Sequence, residues 1–111
     1  MIKTIALIHR KDSISREEFA RYYEESHAPL ALKLFPQIKK YARNHIVDVP
    51  GMEGPTFDCV SEFWFDSIED AAAVAEIAQS EAGQAIRDDE NKFMDSSKTI
   101  SFMVDERVSD I

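Results

Sequence analysis

His27 is the residue of this sequence whose position best suits acid–base chemistry. It lies four residues after Tyr23 and eight after Phe19 in FARYYEESHAP, so a helix through this stretch places the three side chains on one face. An imidazole gains and loses a proton near neutral pH, which suits a general acid or base. The alternative role is structural, because a histidine at a helix end can bond a free carbonyl and stabilise the turn before Pro29. The sequence leaves both roles open.

Glu62 is a carboxylate within the mostly apolar stretch FDCVSEFWF. In such surroundings a carboxylate either pairs with a cation, for which we consider Arg43, or keeps a raised pKa that suits proton transfer. Trp64 nearby is expected to contribute either to the core or to a cleft wall. Cys59 in the same stretch is predicted to be a small buried apolar residue.

Metal binding is not predicted, although the chain has three histidines. His9, His27 and His45 fall on separate predicted elements, without the i, i+4 spacing typical of a helical metal site. A single cysteine adds no ligand framework. Phosphate-binding glycine loops and nucleophile elbows are also absent from the sequence. The acidic run at 88–90 is predicted to be a solvated helix face.

A capping box begins the helix that carries the histidine. Ser15 occupies the N-cap position and Glu18 follows three residues later. The helix is predicted to falter at Ala28, because the residue before a proline is disfavoured in the α region. It is predicted to resume as a turn that starts at Pro29 and ends at Pro36.

Four strands and two further helical segments complete the pattern. Ser67 is predicted to cap a second helix, and a break near Ser80 and Gly83 precedes a third helical segment over 84–93. The strands are predicted at 2–9, 38–47, 57–65 and 99–104, with a loop rich in Gly and Pro at 48–55.

The resulting order β-α-β-β-α-β is the split βαβ pattern of ferredoxin-like folds, an α+β class with a four-stranded antiparallel sheet. We expect one domain over 1–105 and a polar tail at 106–111. The strands carry large apolar residues on both faces, such as Ile5 and Leu7 against Ala6 and Ile8. Helices can cover only one face, so we predict a homodimer in which the two open sheet faces pack together.

Composition and charge narrow the class of partner. The chain has 111 residues, 44% of them hydrophobic, and a net charge of −8. An acidic surface repels polyanions, which argues against nucleic acid and against anionic membranes. The apolar stretches are far shorter than the ~20 residues of a membrane span, and the N-terminus is predicted to be a strand rather than a signal peptide. We therefore expect a cytoplasmic protein.

Four stretches together resemble the EthD family of the dimeric α/β-barrel superfamily, over nearly the whole chain. They are MIKTIALIHRKDSISREEFARYYEESHAPLA, QIKKYARNHIVDV, FDCVSEFWFDSIEDAAA and the segment leading into KFMDSSKTISFMVDE. The family takes its name from ether-degradation gene clusters, and its relatives include polyketide-tailoring proteins and a muconolactone-type isomerase. The resemblance implies a barrel dimer with a small-molecule cleft between sheet and helices, whereas a reaction does not follow from fold similarity.

The resemblance also implies roles for two side chains. Relatives carry a histidine at the position of His27, lining the cleft, and in the isomerase a tyrosine at the position of Tyr41 contacts substrate. A phenol can donate a hydrogen bond to a developing enolate oxygen. The alternative for Tyr41 is a half-buried strand residue whose hydroxyl reaches solvent. The isomerase also uses a strand cysteine, where this chain has Phe63, and a loop histidine that residues 48–57 lack, which argues against the same isomerisation.

Three functions follow as hypotheses. The first is a cofactor-free enzyme (an oxidoreductase, isomerase or cyclase) or enzyme accessory acting on a small hydrophobic, aromatic or lactone-like compound, with His27 moving a proton and Tyr41 stabilising oxyanion charge. The second is a non-catalytic dimer that binds a hydrophobic ligand or stabilises an enzyme. The third, haem binding as in distant members of the superfamily, ranks last because an acidic surface gives haem propionates little support. The residues predicted to contact substrate are Phe19, Tyr22, Tyr23, Leu30, Leu34, Glu62 and Trp64.

Overall fold

The computed structural model describes all 111 residues as a four-stranded antiparallel sheet with helices packed on one face. The strands are β1 (Ile2–Ile8), β2 (Lys40–His45), β3 (Cys59–Phe65) and β4 (Ile100–Val104), in the order β2-β3-β1-β4. The helices are α1 (Arg16–Tyr22), α2 (Ala28–Leu34), α3 (Ile68–Gln79) and α4 (Gln84–Phe93). This is the predicted ferredoxin-like arrangement. None of the helices is both long and apolar enough to cross a bilayer.

The helical stretch before the first hairpin begins as predicted but does not break where predicted. Ser15 caps α1 by accepting a hydrogen bond from the Glu18 amide at 3.1 Å. The expected break at Ala28 is wrong, because Ala28 is helical, with φ −61° and ψ −44°. A π-helical turn over Tyr23–His27 joins α1 to α2 instead, and the Ala28 amide bonds the carbonyl of Tyr23 five residues back. This wider turn takes up the register change before Pro29, which has no N–H to donate.

Start signals for the other helices are also confirmed. The Ser67 side chain accepts a hydrogen bond from the amide of Asp70 at 3.1 Å and caps α3. A 3-10 turn over Glu81–Gly83 separates α3 from α4, which begins at Gln84 as predicted. At Gly83 a Cβ atom would lie 2.3 Å from the carbonyl oxygen of Ile77, so the two helices meet at a distance only glycine permits. The strands are shorter than predicted by one to four residues, all at their ends.

The sheet has one face under the helices and one face open. Ala6, Ile8, Cys59 and Phe65 are buried on the covered face. On the open face, Ile100 and Phe102 keep 56% and 41% of their surface exposed. Ser101 and Met103 alternate with them and lie opposite Ala6 and Thr4 of the covered face, so β4 has apolar residues on both sides.

A charged cluster lies on the same open face, and the tail after β4 joins it. Lys3 forms an ion pair with Glu62 and donates a hydrogen bond to Glu106 at 2.7 Å. The Trp64 indole N–H donates to Glu106 at 3.1 Å, and the Lys3 ammonium lies 4.7 Å from the centre of the Trp64 ring. The first part of the predicted tail therefore packs on the sheet.

Candidate active site

A cavity of about 470 Å³ lies between the sheet and the helices, and 19 of its 24 lining residues are hydrophobic. A cavity of this size, with few polar groups, is typical of sites for small organic ligands. β1, β2, β3 and β4 supply its floor, and the helices supply its walls. The five lining residues that are not hydrophobic are Thr4, His27, Glu90, Thr99 and Ser101, and the hydrophobic set includes two residues with hydroxyl groups, Tyr23 and Tyr41.

His27 lies at the end of the π-helical turn and contributes to the wall of this cavity. The residue is only 4% exposed, and its ring packs against Phe93, with the ring centroids 4.9 Å apart. Nδ1 lies 2.8 Å from Oδ2 of Asp89 on α4. An ionised carboxylate accepts but cannot donate, so this contact places a hydrogen on Nδ1 and leaves Nε2 as the nitrogen available to a ligand.

Asp89 is buried, which corrects the prediction that the acidic run at 88–90 is a solvated face. Its second oxygen accepts a hydrogen bond from the Tyr22 hydroxyl at 2.5 Å. Ile86, Asp89 and Phe93 are all buried and follow the i, i+3, i+7 spacing of one helix face, while Asp88 is exposed. The sequence shows this spacing, so the burial of Asp89 could have been predicted. It does not show that His27 is the partner of this carboxylate.

Burial and hydrogen bonding act in opposite directions on the pKa of His27. Burial in apolar surroundings lowers it from the ordinary 6.5, while the hydrogen bond to Asp89 raises it, and the lowering is larger. His27 is therefore neutral at pH 7. Burial, with the neighbouring carboxylate, also raises the pKa of Tyr22 to about 12, so its hydroxyl stays protonated and keeps donating to Asp89.

Three hydroxyl groups form a chain beside His27. The Tyr23 hydroxyl lies 2.5 Å from that of Tyr41 and 2.7 Å from Oγ of Ser61. Burial raises the pKa of both phenols well above the ordinary 10. Both therefore remain protonated at neutral pH and act as hydrogen-bond donors or acceptors rather than as phenolates. The Tyr41 ring is fixed by stacking on Phe63, with centroids 4.5 Å apart.

Glu90 is a lining residue that the sequence prediction missed. It lies four residues after Ile86 on α4, and both line the cavity. Burial raises the pKa of its carboxyl group above the usual 4.5. The nearby guanidinium of Arg87 is bonded instead to the carbonyl oxygens of Ala78 and Ser80, at 2.6 and 2.7 Å.

Four of the residues predicted to contact substrate lie on the helices but not at the cavity. Phe19 is 1% exposed and packs in the core next to Tyr23, with ring centroids 5.9 Å apart. The Tyr22 hydroxyl donates to Asp89, the carboxylate that also bonds His27. Leu30 and Leu34 pack against a buried apolar cluster that includes Phe35 and Ile38. Of the helix residues in the predicted set, only Tyr23 lines the cavity.

Glu62 and Trp64 lie on the opposite, open face of the sheet, away from the cavity. Alternation along β3 places Ser61, Phe63 and Phe65 toward the helices and the residues between them on the other side. Glu62 pairs with Lys3 rather than with Arg43, and this hydrogen bond lowers its pKa instead of leaving it raised. Arg43 pairs with Glu24 at 2.7 Å.

The histidines and the cysteine have separate surroundings. His45 bonds Glu24 at 2.8 Å, and Nδ1 of His9 is buried without a hydrogen-bond partner. No three His, Cys, Asp or Glu side chains are grouped as metal ligands. Cys59 is fully buried, and burial raises its pKa to about 11, so it is a thiol at neutral pH.

The lining of the cavity does not fit haem. No Lys or Arg side chain lines it, so haem propionates would meet the Glu90 carboxyl group without a cation. His27, the one imidazole at the cavity, lies against Asp89 and the Phe93 ring.

Comparison with known proteins agrees with this architecture. The EthD domain family matches residues 11–97 of the chain. An EthD family protein from Bacillus halodurans has a similar structure, with a TM-score of 0.68 and 20% identity over 96% of this chain and 100% of that one. A protein from Arabidopsis thaliana aligns with a TM-score of 0.68 and 16% identity over 100% of both chains.

A third similar structure is described as dimeric. This ferredoxin-like protein of unknown function from Bacteroides fragilis aligns with a TM-score of 0.62 and 18% identity over 95% of each chain. At these identities the structures show a shared fold and no more. No curated protein sequence is significantly similar to the chain.

Proposed function

The chain belongs to the EthD domain family, and from the chemistry of its cavity we propose that it is a cofactor-free enzyme that moves a proton on a small hydrophobic carbonyl compound. His27 is the proposed base and Tyr41 the proposed donor to the carbonyl oxygen. The observation that carries this proposal is the His27–Asp89 pair at 2.8 Å on the wall of a largely apolar cavity.

The proposed proton transfer uses the neutral imidazole. Nε2 takes a proton from the carbon next to the carbonyl group, the C–H electron pair forms the enolate, and the imidazolium is stabilised by Asp89. Returning the proton to the same carbon gives exchange, and returning it to another carbon gives an isomer. Atoms and electrons balance without an oxidant or a cofactor.

Tyr41 suits the role of donor to the carbonyl oxygen because its hydroxyl can accept a hydrogen bond from Tyr23. When Ser61 donates to Tyr23 and Tyr23 donates to Tyr41, the Tyr41 proton is free for a ligand oxygen. Such a chain polarises each hydroxyl along it. The phenol then stabilises developing negative charge without giving up its proton.

We also propose that the protein is a homodimer formed through the open sheet face. This face presents Ile100 and Phe102 to solvent, and the similar Bacteroides protein is described as dimeric. A two-fold contact would cover the apolar residues of both copies and leave the cavity under the helices accessible.

Hydrogen–deuterium exchange on a carbonyl compound tests the catalytic proposal without knowledge of the natural substrate. In D₂O at pH 7, NMR follows loss of the α-proton signals of 2-tetralone and of a panel of aryl ketones and lactones. We expect the protein to accelerate exchange of at least one compound, and His27→Gln to reduce that acceleration at least about 100-fold.

The matched control is His45→Gln, which removes another carboxylate-paired histidine that does not line the cavity. It should retain the wild-type exchange rate. An unchanged rate in His27→Gln would exclude His27 as the base. Compounds that bind without accelerated exchange would indicate the non-catalytic binding protein instead.

A further inference from the structure

Glu90 brings a carboxyl group to the cavity that no protein side chain neutralises. It forms no ion pair and no hydrogen bond, and Arg87, the cation that acts on it electrostatically, donates to Gln84 and to backbone carbonyls. Glu90 is half-buried, and a carboxyl group without a protein partner keeps its hydrogen-bonding capacity for a ligand. Ionisable groups in such surroundings are more frequent at functional sites than elsewhere.

The other charges around the cavity do not offset this carboxyl group. Its ionisable lining residues are Tyr23, His27, Tyr41 and Glu90, and no Lys or Arg is among the 24 lining residues. His27 is neutral and rests against a second carboxylate, Asp89. An anion entering the cavity would lose its hydration and meet one or two negative groups with no positive one.

We propose that Glu90 is a specificity-determining residue that restricts the cavity to uncharged ligands carrying a hydroxyl group and excludes carboxylates. This rests on the proposed function, because it names the ligand class of the same cavity. A hydroxyl group both donates and accepts, so it satisfies the Glu90 carboxyl in either protonation state. The apolar lining accommodates the rest of an aromatic ligand.

Three probes that share one ring system test the proposal: 2-naphthol, 2-methoxynaphthalene and 2-naphthoate. Binding is measured by isothermal titration calorimetry at pH 7. We expect 2-naphthol to bind tightest and the methoxy compound several-fold more weakly, because it has no proton to donate. We expect 2-naphthoate to bind about 100-fold more weakly than 2-naphthol, the loss being limited by the small fraction of neutral acid that remains at this pH.

The variant Glu90→Gln removes the charge and keeps the shape, with Glu90→Met as a second variant. In each variant the affinity for 2-naphthol divided by the affinity for 2-naphthoate should be about tenfold lower than in the wild type. Glu76→Gln is the matched control, because it removes one negative charge from an exposed position on α3. The ratio in this control should stay within about twofold of wild type.

The possible results separate this inference from the proposed function. Equal binding of naphthol and naphthoate to the wild type, or an unchanged ratio in folded Glu90 variants, overturns the role of Glu90 alone. Failure of all three probes to bind at millimolar concentration overturns both the role of Glu90 and the proposed ligand site.

Discussion

His27 and Glu90 are two residues of one cavity whose pKa values are shifted toward each other. Burial lowers the pKa of the imidazole and raises that of the carboxyl group. Both shifts favour the uncharged form, as expected for groups partly removed from water at a largely apolar cavity. The lining of the cavity therefore includes a neutral base and an acid that retains its proton to a higher pH than a solvated carboxyl group.

Asp89 acts through His27, and its replacement predicts a change in the pH profile. In Asp89→Asn the carboxylate no longer raises the pKa of His27, so this pKa falls further. The weaker base should slow catalysed exchange about 10- to 100-fold and move the acidic limb of the pH profile to lower pH. An NMR titration of the His27 ring protons checks the direction of the shift.

The control for this prediction is Asp88→Asn, the exposed neighbour on the same helix. It should leave both the His27 titration and the exchange profile unchanged. A purely structural role for Asp89 would lower stability and leave the His27 pKa where it was.

Glu90→Gln should raise the free energy of unfolding at pH 7. Because the folded-state pKa of Glu90 is raised, the unfolded chain loses this proton at lower pH than the folded one, so folding stability falls as pH rises above about 4.5. The neutral amide removes this cost, so the variant should be more stable at pH 7 and close to wild type at pH 4, measured by urea denaturation. A variant that is less stable at both pH values would contradict the prediction.

At the scale of the elements, the site depends on how two helical stretches meet. The stretch formed by α1, the π-helical turn and α2 carries His27, and α4 carries its partner Asp89. The start of α4 is set by Gly83, which packs against the carbonyl groups in the last turn of α3 as the chain turns back. A shift of the junction between α3 and α4 would move Asp89 and Glu90 together, because both lie on α4.

Gly83→Ala tests this dependence. The added Cβ would lie 2.3 Å from the carbonyl oxygen of Ile77, so the backbone must shift, at a cost of about 1–3 kcal/mol. We expect a lower free energy of unfolding together with slower catalysed exchange. Gly54→Ala is the matched control, since nothing lies within 4 Å of its Cβ position and both properties should remain near wild type.

At the scale of the whole molecule, the two faces of the sheet have different surroundings. The covered face forms the floor of the cavity, and the open face carries exposed apolar residues beside the cluster of Lys3, Glu62 and Glu106. A dimer through the open face would leave the cavity of each copy complete. Every residue placed in the proposed mechanism comes from one chain.

Phe102→Glu should therefore convert the proposed dimer into a monomer. The substitution places a charge on the open face, which the proposed interface would have to bury in each copy without a partner. Size-exclusion chromatography with light scattering at micromolar concentration measures the mass. Met52→Glu, a similar change at a 70% exposed loop residue, should leave the mass unchanged. A monomeric wild type would contradict the proposal.

Much of the architecture was predictable because its signals are local. The cap at Ser15, the cap at Ser67 and the break at Gly83 each depend on a few neighbouring residues, and all three are present in the structure. The order of elements then favoured the ferredoxin-like fold, and the resemblance indicated the EthD family. The π-helical turn was missed because a proline signals a break but not how surrounding packing keeps the chain helical.

The sequence by itself determined the type and order of the elements, because their start and stop signals are local, and placed His27 on one helix face with Phe19 and Tyr23. Only the tertiary structure decided that Asp89 and Glu90 reach the site, because the buried face of α4 is set by its packing against the earlier helices. It also decided that Glu62 and Trp64 lie outside the site. Alternation along a strand shows which residues share a face of the sheet. When the residues on both faces are apolar, only the position of the helices determines which face is covered.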